Sequence, residues 1–376
     1  MFLQEVVLTQ FRNYGGKSFS FDPDVTVIVG PNTAGKTNLL EAIYLLSQGE
    51  PLRATVGEEL ILFGKQWARV EGWVNFEYKP PEVGVDFSVS SEVAADSVAT
   101  KFEVFLEKCE GATRKVFKVD KIEKSKSDFQ NKLRTVVFCP ESLNLILGSP
   151  SVRRDYLDRV LSSLDYKYYR SLKEYDKIVR NRNKVLWQIK EFDVPKKRLH
   201  FWDKKLFSLG KVLFQKREHL IGLLNRELEN LGWEIQLRYD PSRLREDVYG
   251  DRLAEEISRA TSLWGPHRDD FLFVRPNFSE VNGSKLRDLS IYGSRGEQRE
   301  AVIALFLAEL AVVSQNTERQ PILLLDDIFS ELDQKHRKKV LQVLPRQQSL
   351  VTSAEPDLLN SGLLHSSRVI ELGLEG

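Results

Sequence analysis

Residues 25–41 read VTVIVGPNTAGKTNLLE, and the reading of this stretch decides the fold. Five strand-forming residues run into Gly30-Pro31-Asn32-Thr33-Ala34-Gly35-Lys36-Thr37-Asn38, which satisfies the pattern GxxxxGK[ST] and opens a helix expected over residues 37–47. Glycines at both ends of such a loop let the backbone curl until successive N–H groups converge. The following helix adds the positive end of its dipole, so the loop is a cradle for phosphate oxygens. Lys36 is then placed to reach the β- and γ-phosphates, and the Thr37 hydroxyl to bind Mg²⁺. A plain glycine turn between strand and helix is the bland alternative. With Gly at 22 of 376 positions, a chance match to the full pattern is expected in only roughly one chain in a hundred.

A phosphate loop of this kind needs a second metal carboxylate at the end of a neighbouring strand. Residues 321–333, PILLLDDIFSELD, supply one. Asp326 is expected to hold Mg²⁺, and Asp327 to orient or deprotonate the attacking water. The competing reading is an aspartate that ends a buried strand as a helix cap; the run of five apolar residues before it, in a chain with a phosphate loop, favours the metal role. Further upstream, Ser294, Arg295, Gly296, Glu297 and Gln298 precede the apolar helix AVIALFLAELAVV. A Ser and a Gly at a helix start form an anion site. A chain with one phosphate loop has no need of another for its own nucleotide, so the economical use is in trans. The segment resembles the signature of the ATP-binding-cassette (ABC) class, in which one protomer's signature closes over the nucleotide of its partner.

Six segments in order, FRNY (11–14), the phosphate loop, FCPESLNLILGSPSVRRDYLD (138–158), GPHRDDF (265–271), SRGEQRE (294–300) and LLLDDIFSELD, resemble the RecF family of bacterial recombination mediators over nearly the whole chain. The resemblance implies an α/β P-loop ATPase head of the ABC type, related to Rad50 and SMC heads: a mixed sheet plus an antiparallel β subdomain, with an inserted α-helical lobe. It implies ATP and Mg²⁺ as cofactors, an ATP-dependent homodimer, and binding to DNA at gaps and single-strand/double-strand junctions. It also implies cooperation with RecO and RecR in loading RecA during gap repair and the SOS response. Residue by residue, Lys36 and Asp327 become catalytic, and Thr37 and Asp326 become the Mg²⁺ ligands. Ser294 to Gln298 in number order become the trans signature, and Ser330, Glu331, Leu332 and Asp333 the D-loop at the dimer seam. Asp327 stands where transporter ATPases carry Glu, which fits slow turnover. Thr352 and Ser353 stand where those enzymes carry a switch His. Residues 138–142 occupy the Q-loop position without an assigned metal contact, and His267, Arg268 and Asp269 are either a charged network near the nucleotide or DNA or a turn held by local ion pairs.

The rest of the chain fits this frame. Its 376 residues exceed ordinary single-domain size. We expect a head built from residues 1–148 and 232–376, with a helical lobe of residues 149–231 between them. Strands are expected at 68–78, 83–90, 233–239 and 271–274, and a hairpin turning at Gly111. Hydrophobic residues at 41% and charged residues at 29% argue against disorder and against a fibrous protein. Cys109 and Cys139 form neither a disulfide framework nor a zinc motif. Nothing reads as a signal peptide or a membrane span, so the expected location is the cytoplasm.

The 55 basic and 54 acidic residues leave a net charge of only +1, which read alone gives no sign of a polyanionic partner. Residues 151–220, however, carry 19 Lys and Arg against 9 Asp and Glu. This local surplus, interleaved with tyrosines and Trp187, is of the kind phosphate contacts require. Candidate DNA contacts are Arg153, Arg154, Arg180, Arg182 and Lys184, joined by Arg12 and Arg53 from the head; the competing reading is solvated helix faces. An ABC transporter subunit would share the nucleotide motifs but lack the basic insertion. An SMC or Rad50 head would carry a long coiled coil, whereas about 80 residues folded in two span only ~60 Å. A DNA-binding scaffold whose ATP site only controls dimerisation would share every motif named.

Overall fold

A computed structural model of the chain describes residues 1–53, 56–77, 99–130, 132–242, 249–276, 286–354 and 367–373. They divide into two compact units, one formed by Met1–Glu141 with Val313–Gly376 and the other by Ser142–Val312.

The first unit holds two sheets. One is antiparallel, with β1 (Phe2–Phe11), β2 (Tyr14–Ser20), β4 (Trp67–Asn75), β5 (Thr100–Cys109), β6 (Ala112–Val119) and β7 (Ile122–Lys124) in the order β2-β1-β4-β5-β6-β7. The other is parallel, with β3 (Val25–Val29), β8 (Thr135–Phe138), β12 (Ile322–Asp326), β13 (Ser349–Ser353) and β14 (Arg368–Glu371) in the order β14-β3-β13-β12-β8. Every residue of β3, β8, β12 and β13 is buried. That is why VTVIV and ILLLD read as unbroken apolar runs: a strand covered on both faces has no polar side to alternate with.

Helix α1 (Lys36–Gln48) packs on β1, β4 and β5 of one sheet and on β8, β12 and β13 of the other. Ten of its thirteen residues are buried, Lys36, Glu41 and Ser47 among them, so it is covered nearly all round, and burial of each Leu or Ile stabilises by about 1.5–3 kcal/mol. The fit against β4 is close enough that a side chain at Gly72 would force Leu46 to shift. A Cβ on Gly72 would sit 2.6 Å from Leu46 Cδ1. The smaller helices α2 (Lys126–Phe129) and α10 (Gln334–Leu341) complete the unit. The hairpin expected at Gly111 is present as β5–β6, with Gly111 at φ +73°. The strand expected at 83–90 lies outside the described residues.

The second unit contains α3 (Asn144–Leu147), α4 (Pro150–Leu164), α5 (Tyr166–Phe192), α6 (His200–Asn230), α7 (Tyr249–Arg259), α8 (Leu289–Tyr292) and all but the last three residues of α9 (Arg295–Gln315). It also carries a three-stranded antiparallel sheet, β11-β10-β9, from β9 (Gln236–Asp240), β10 (Asp270–Pro276) and β11 (Leu286–Asp288). Helices α5 and α6 form a long antiparallel pair, α6 packs on β9, and α4 packs on β10. This sheet belongs with the helices it covers, so the unit runs to Val312 where charge and helix patterning alone placed the lobe's end at 231. Among the described residues no helix is long and apolar enough to cross a membrane.

One buried amide ties the two sheets of the first unit together. Gln348, 2% exposed, donates through Nε2 to Leu3 O (2.8 Å) and Asp22 O (2.9 Å). Its Oε1 accepts from Leu3 N at 2.8 Å. A buried polar group stripped of its partner costs about 1–3 kcal/mol. Gln348→Leu strands both polar groups of Leu3, so it is expected to lower the unfolding free energy of this unit by roughly 2–4 kcal/mol. Denaturant titration of the variant checks this; unchanged stability would mean the amide ties nothing.

Candidate nucleotide site

The phosphate loop joins β3 to α1, and its shape is fixed by backbone conformation. Gly35, the residue before the helix, has φ +95°, and Thr33 is left-handed at φ +77°. At Gly35 a side chain is excluded twice, because a Cβ would meet Tyr14 Oη at 2.6 Å and Asn13 Nδ2 at 2.7 Å. The Tyr14 hydroxyl donates to Gly35 O at 3.0 Å, and Asn38 Nδ2 donates to Asn13 Oδ1 at 2.8 Å. The FRNY segment is therefore a brace beneath the loop.

Lys36 is buried and donates through Nζ to Gly30 O (2.7 Å) and Pro31 O (2.9 Å), which holds the ammonium over the loop. Burial lowers its pKa, while Asp327 and Asp326 act in the opposite direction and favour the cation. Thr37 Oγ1 donates to Asp326 Oδ1 at 3.0 Å, and Thr352 Oγ1 donates to the same oxygen at 2.7 Å. Asp326, 3% exposed, has its pKa raised by burial, an effect these two hydroxyls oppose. Thr352 Oγ1 also accepts from Asp327 N at 3.0 Å, so one hydroxyl positions both aspartates. Asp327 itself is held at φ +50°, a conformation that costs a non-glycine residue free energy and that clusters at functional sites. Ser353 is buried at the end of the same strand.

Lys36, Thr37, Asp326 and Asp327 line a pocket of about 290 Å³ beside Arg53 and Pro140. The donor set suits a hard cation: one hydroxyl and one carboxylate, both oxygen, on adjacent sides of a phosphate cradle, with room for phosphate and water oxygens to complete the shell. Among the described residues no cluster of three or more His, Cys, Asp or Glu side chains competes for a metal. Past Asp327, Ser330 Oγ donates to Asp327 O at 2.7 Å, and Leu332 is buried. Asp333 caps α10 by accepting from His336 N at 2.9 Å. The backbone of Glu331 closes the 3₁₀ turn Ile328–Glu331.

The signature residues lie in the second unit and form a reciprocal capping box. Ser294 N donates to Glu297 Oε2 at 2.8 Å, and Glu297 N donates to Ser294 Oγ at 3.3 Å. Arg275 and Arg287 pair with Glu297, and Gln298 Nε2 donates to Leu289 O at 2.9 Å. Ser294, Arg295 and Gly296 stand exposed at the start of α9.

Several arginines expected on a DNA face are committed elsewhere. Arg182 is fully buried and pairs with Asp203 (2.8 Å) and Glu256 (2.5 Å), with a third bond to Ser262 Oγ. Arg153 is buried in a two-pronged pair with Asp270 (2.6 and 2.9 Å) and bonds the carbonyls of Leu145 and Gly148. Arg12 makes a two-pronged pair with buried Glu41 (2.8 and 3.1 Å) and donates to Glu59 O. These three are structural cations, because each belongs to an ion pair with at least one buried member, and a buried charge must be paired. Arg53 lines the candidate nucleotide pocket and pairs with Glu141 at 3.3 Å. Arg154 donates to Asp269 O at 2.8 Å, whereas Arg180 and Lys184 are exposed. The GPHRDDF segment is bound into the second unit: Asp269 accepts from Arg217 (2.8 Å), Ser242 N (2.8 Å) and Tyr239. His267 bonds Tyr175 and Ser262 O, and burial lowers its pKa to about 4, keeping the ring neutral near pH 7.

Fold and site together define an ATPase head of the ABC type. Residues 2–370 match the family model described as the RecF/RecN/SMC N terminal domain. The chain is 32% identical to the DNA replication and repair protein RecF of Herpetosiphon aurantiacus, covering 95% of this chain and 94% of that one. It is 34% identical to RecF of Heliobacterium modesticaldum, over 92% and 89%. A solved structure described as the recombination mediator protein RecF-ATP in the RecFOR pathway superposes with a TM-score of 0.80 at 30% identity, covering 96% and 93%. A Pyrococcus furiosus Smc head domain shares the fold, with a TM-score of 0.53 at 17% identity over 98% and 93%. The chain belongs to the RecF family of DNA replication and repair proteins.

The Arg12–Glu41 pair yields a direct test. Arg12→Ala leaves a buried carboxylate unpaired, which costs about 3–5 kcal/mol. The expected outcome is a fall of that size in unfolding free energy, largely recovered in Arg12→Met/Glu41→Leu. A variant as stable as the parent would return Arg12 to the pool of free surface cations.

Proposed function

We propose that this chain binds ATP with Mg²⁺ in the phosphate-loop pocket and dimerises on ATP. In the dimer, Ser294, Arg295, Gly296, Glu297 and Gln298 of one copy close over the nucleotide of the other. The assembly binds DNA at gaps and single-strand/double-strand junctions and hydrolyses ATP slowly, as a switch. It acts in the cytoplasm with RecO and RecR in loading RecA during gap repair and the SOS response. The observation that carries the reading is the single Asp326 oxygen shared by Thr37 and Thr352 beside the Lys36 loop. Family membership supplies the biological setting.

Geometry and family resemblance together support the following roles. The loop N–H groups and Lys36 bind and orient the phosphates. Thr37 and Asp326 would hold Mg²⁺, which supplies charge neutralisation at the β- and γ-phosphates. Asp327, fixed through its N–H by Thr352, is the carboxylate available to orient water and accept its proton. Its shorter side chain relative to Glu fits a slow step. Ser330 and the turn it stabilises, with Glu331, Leu332 and Asp333, form the D-loop at the seam. Thr352 and Ser353 take the sensor position through hydroxyls. For DNA, the exposed cations Arg180 and Lys184 are the better candidates of those named from sequence.

Sedimentation velocity with and without ATP tests the assembly. Lys36→Ala and Ser294→Arg are each expected to abolish the ATP-induced dimer, and an equimolar mixture of the two to restore a partial dimer population, because one composite site can still form. A Lys36→Ala dimer fraction equal to the parent's would sink the trans arrangement. Asp327→Asn should dimerise yet lose most ATP turnover, and parental turnover would remove its catalytic role. Binding to gapped, duplex and single-stranded DNA, with and without ATP, tests the DNA half of the reading.

A further inference from the structure

The α5–α6 hairpin ends in a tip that hides few of its aromatic rings. Helix α5 stops at Phe192, Asp193 reverses the chain at φ +49°, and Pro195 leads through the 3₁₀ turn Lys196–Leu199 into α6 at His200. Beneath the turn lies a small core of Leu186, Ile189 and Leu199, with Val194 and, from α7, Leu253 and Ile257 packed against it. The tip is thus folded, yet Trp187 is 48% exposed, Phe192 66% and Phe201 60%. Trp187 lies five residues before the end of α5 and Phe201 is the second residue of α6, so all three rings occupy the same end of the hairpin, within ~10 Å along its axis.

The rings are presented in a defined manner. Trp187 and Phe192 meet edge to face, with centroids 5.2 Å apart at 82°. Phe201 meets Trp202 in the same way, at 5.1 Å and 81°. In an edge-to-face pair one ring keeps a face turned away from its neighbour. Around them stand cations: Lys184, Lys196, Lys197, Arg198 and Lys204 are exposed, and none has a carboxylate partner among the described residues. The one acidic residue of α6's first turn, Asp203, is consumed by Arg182.

Exposed rings alone would fit many partners. Rings interleaved with unpaired cations fit a polyanion whose units carry flat, unpaired faces, and that is single-stranded nucleic acid: phosphates meet the lysines while bases stack on the aromatics. A duplex offers the phosphates but keeps its bases stacked inside. We infer that the tip of the α5–α6 hairpin is a base-stacking platform for single-stranded DNA, with Trp187, Phe192 and Phe201 as its stacking residues. This proposal rests on the DNA-binding reading above and adds to it a site for the unpaired strand of a gap or junction, apart from the contacts that grip duplex.

The test compares the full-length parent with the Trp187→Ala/Phe192→Ala/Phe201→Ala variant on three probes at one salt concentration: an oligothymidylate, a blunt duplex and a gapped duplex. The rings are exposed, so folding should be retained, and circular dichroism with thermal unfolding verifies it. Loss of a stacked base is worth roughly 5- to 150-fold in affinity per ring. The expected result is a loss of at least that lower size on oligothymidylate and gapped DNA, with duplex affinity changed less than about two-fold and the same salt slope. Trp187→Phe, which keeps a ring, should recover most of that residue's share. Equal losses on duplex and single strand, or none on either, overturn the platform. So does a change in assembly state by light scattering without a change in oligothymidylate affinity, which would mark the tip as a contact between protein copies. A parent that binds none of the three probes would instead defeat the DNA-binding reading itself.

Discussion

The candidate site is organised around one oxygen atom. Asp326 Oδ1 receives hydroxyl donors from Thr37, at the start of α1, and from Thr352, at the end of β13. These groups are 289 and 26 residues from Asp326 in sequence, and the three adjacent parallel strands β3, β13 and β12 bring them together at their carboxyl ends. Burial makes the ionised carboxylate unfavourable unless something answers it. Two neutral hydroxyls answer it in part, and its pKa remains raised. A cation placed beside it would answer the rest. The same Thr352 hydroxyl holds the backbone of Asp327, so it couples the candidate metal ligand to the candidate base.

A second constraint acts through buried charge. In the first unit Glu41, inside α1, is neutralised by Arg12. In the second, Arg182 joins α5 to α6 and α7, Arg153 joins α4 to β10, and Arg217 joins α6 to Asp158 and Asp269. Each pair is strongly destabilising to break by halves, which makes such contacts good at fixing register between elements and poor at meeting a ligand. The basic surplus of residues 151–220 is therefore of two kinds. Some of it is spent inside the fold, and the remainder, concentrated on exposed helix faces and at the hairpin tip, is what a polyanion would meet.

Much of this was legible in the sequence, for physical reasons that differ by element. The loop from Gly30 to Thr37 is contiguous and its chemistry demands fixed spacing. The strands β3 and β12 announce their double burial as apolar runs. The fate of Arg12, Arg153 and Arg182 was not legible, since their carboxylates lie 29, 117 and 74 residues away in the cases of Glu41, Asp270 and Glu256. A buried arginine and a solvated one look alike in a helix with alternating charge. FRNY was visible as a motif, but its function as a brace depends on Gly35 having no side chain, which only the folded loop reveals. The extent of the second unit was likewise hidden, because β9 and β10 are joined to the helices by packing.

The central claim is that Asp326 and Thr37 complete a nucleotide site by holding Mg²⁺ beside the phosphates. Calorimetric titration of ATP into the parent and into Asp326→Asn, each with Mg²⁺ and with a chelator, tests it most directly. Asn keeps an oxygen for both hydroxyls, so the loop should survive. The account predicts that the parent binds ATP much more tightly with Mg²⁺ than without, and that Asp326→Asn binds with nearly the same affinity in both conditions. An Asp326→Asn protein that retained the full Mg²⁺ enhancement would contradict it.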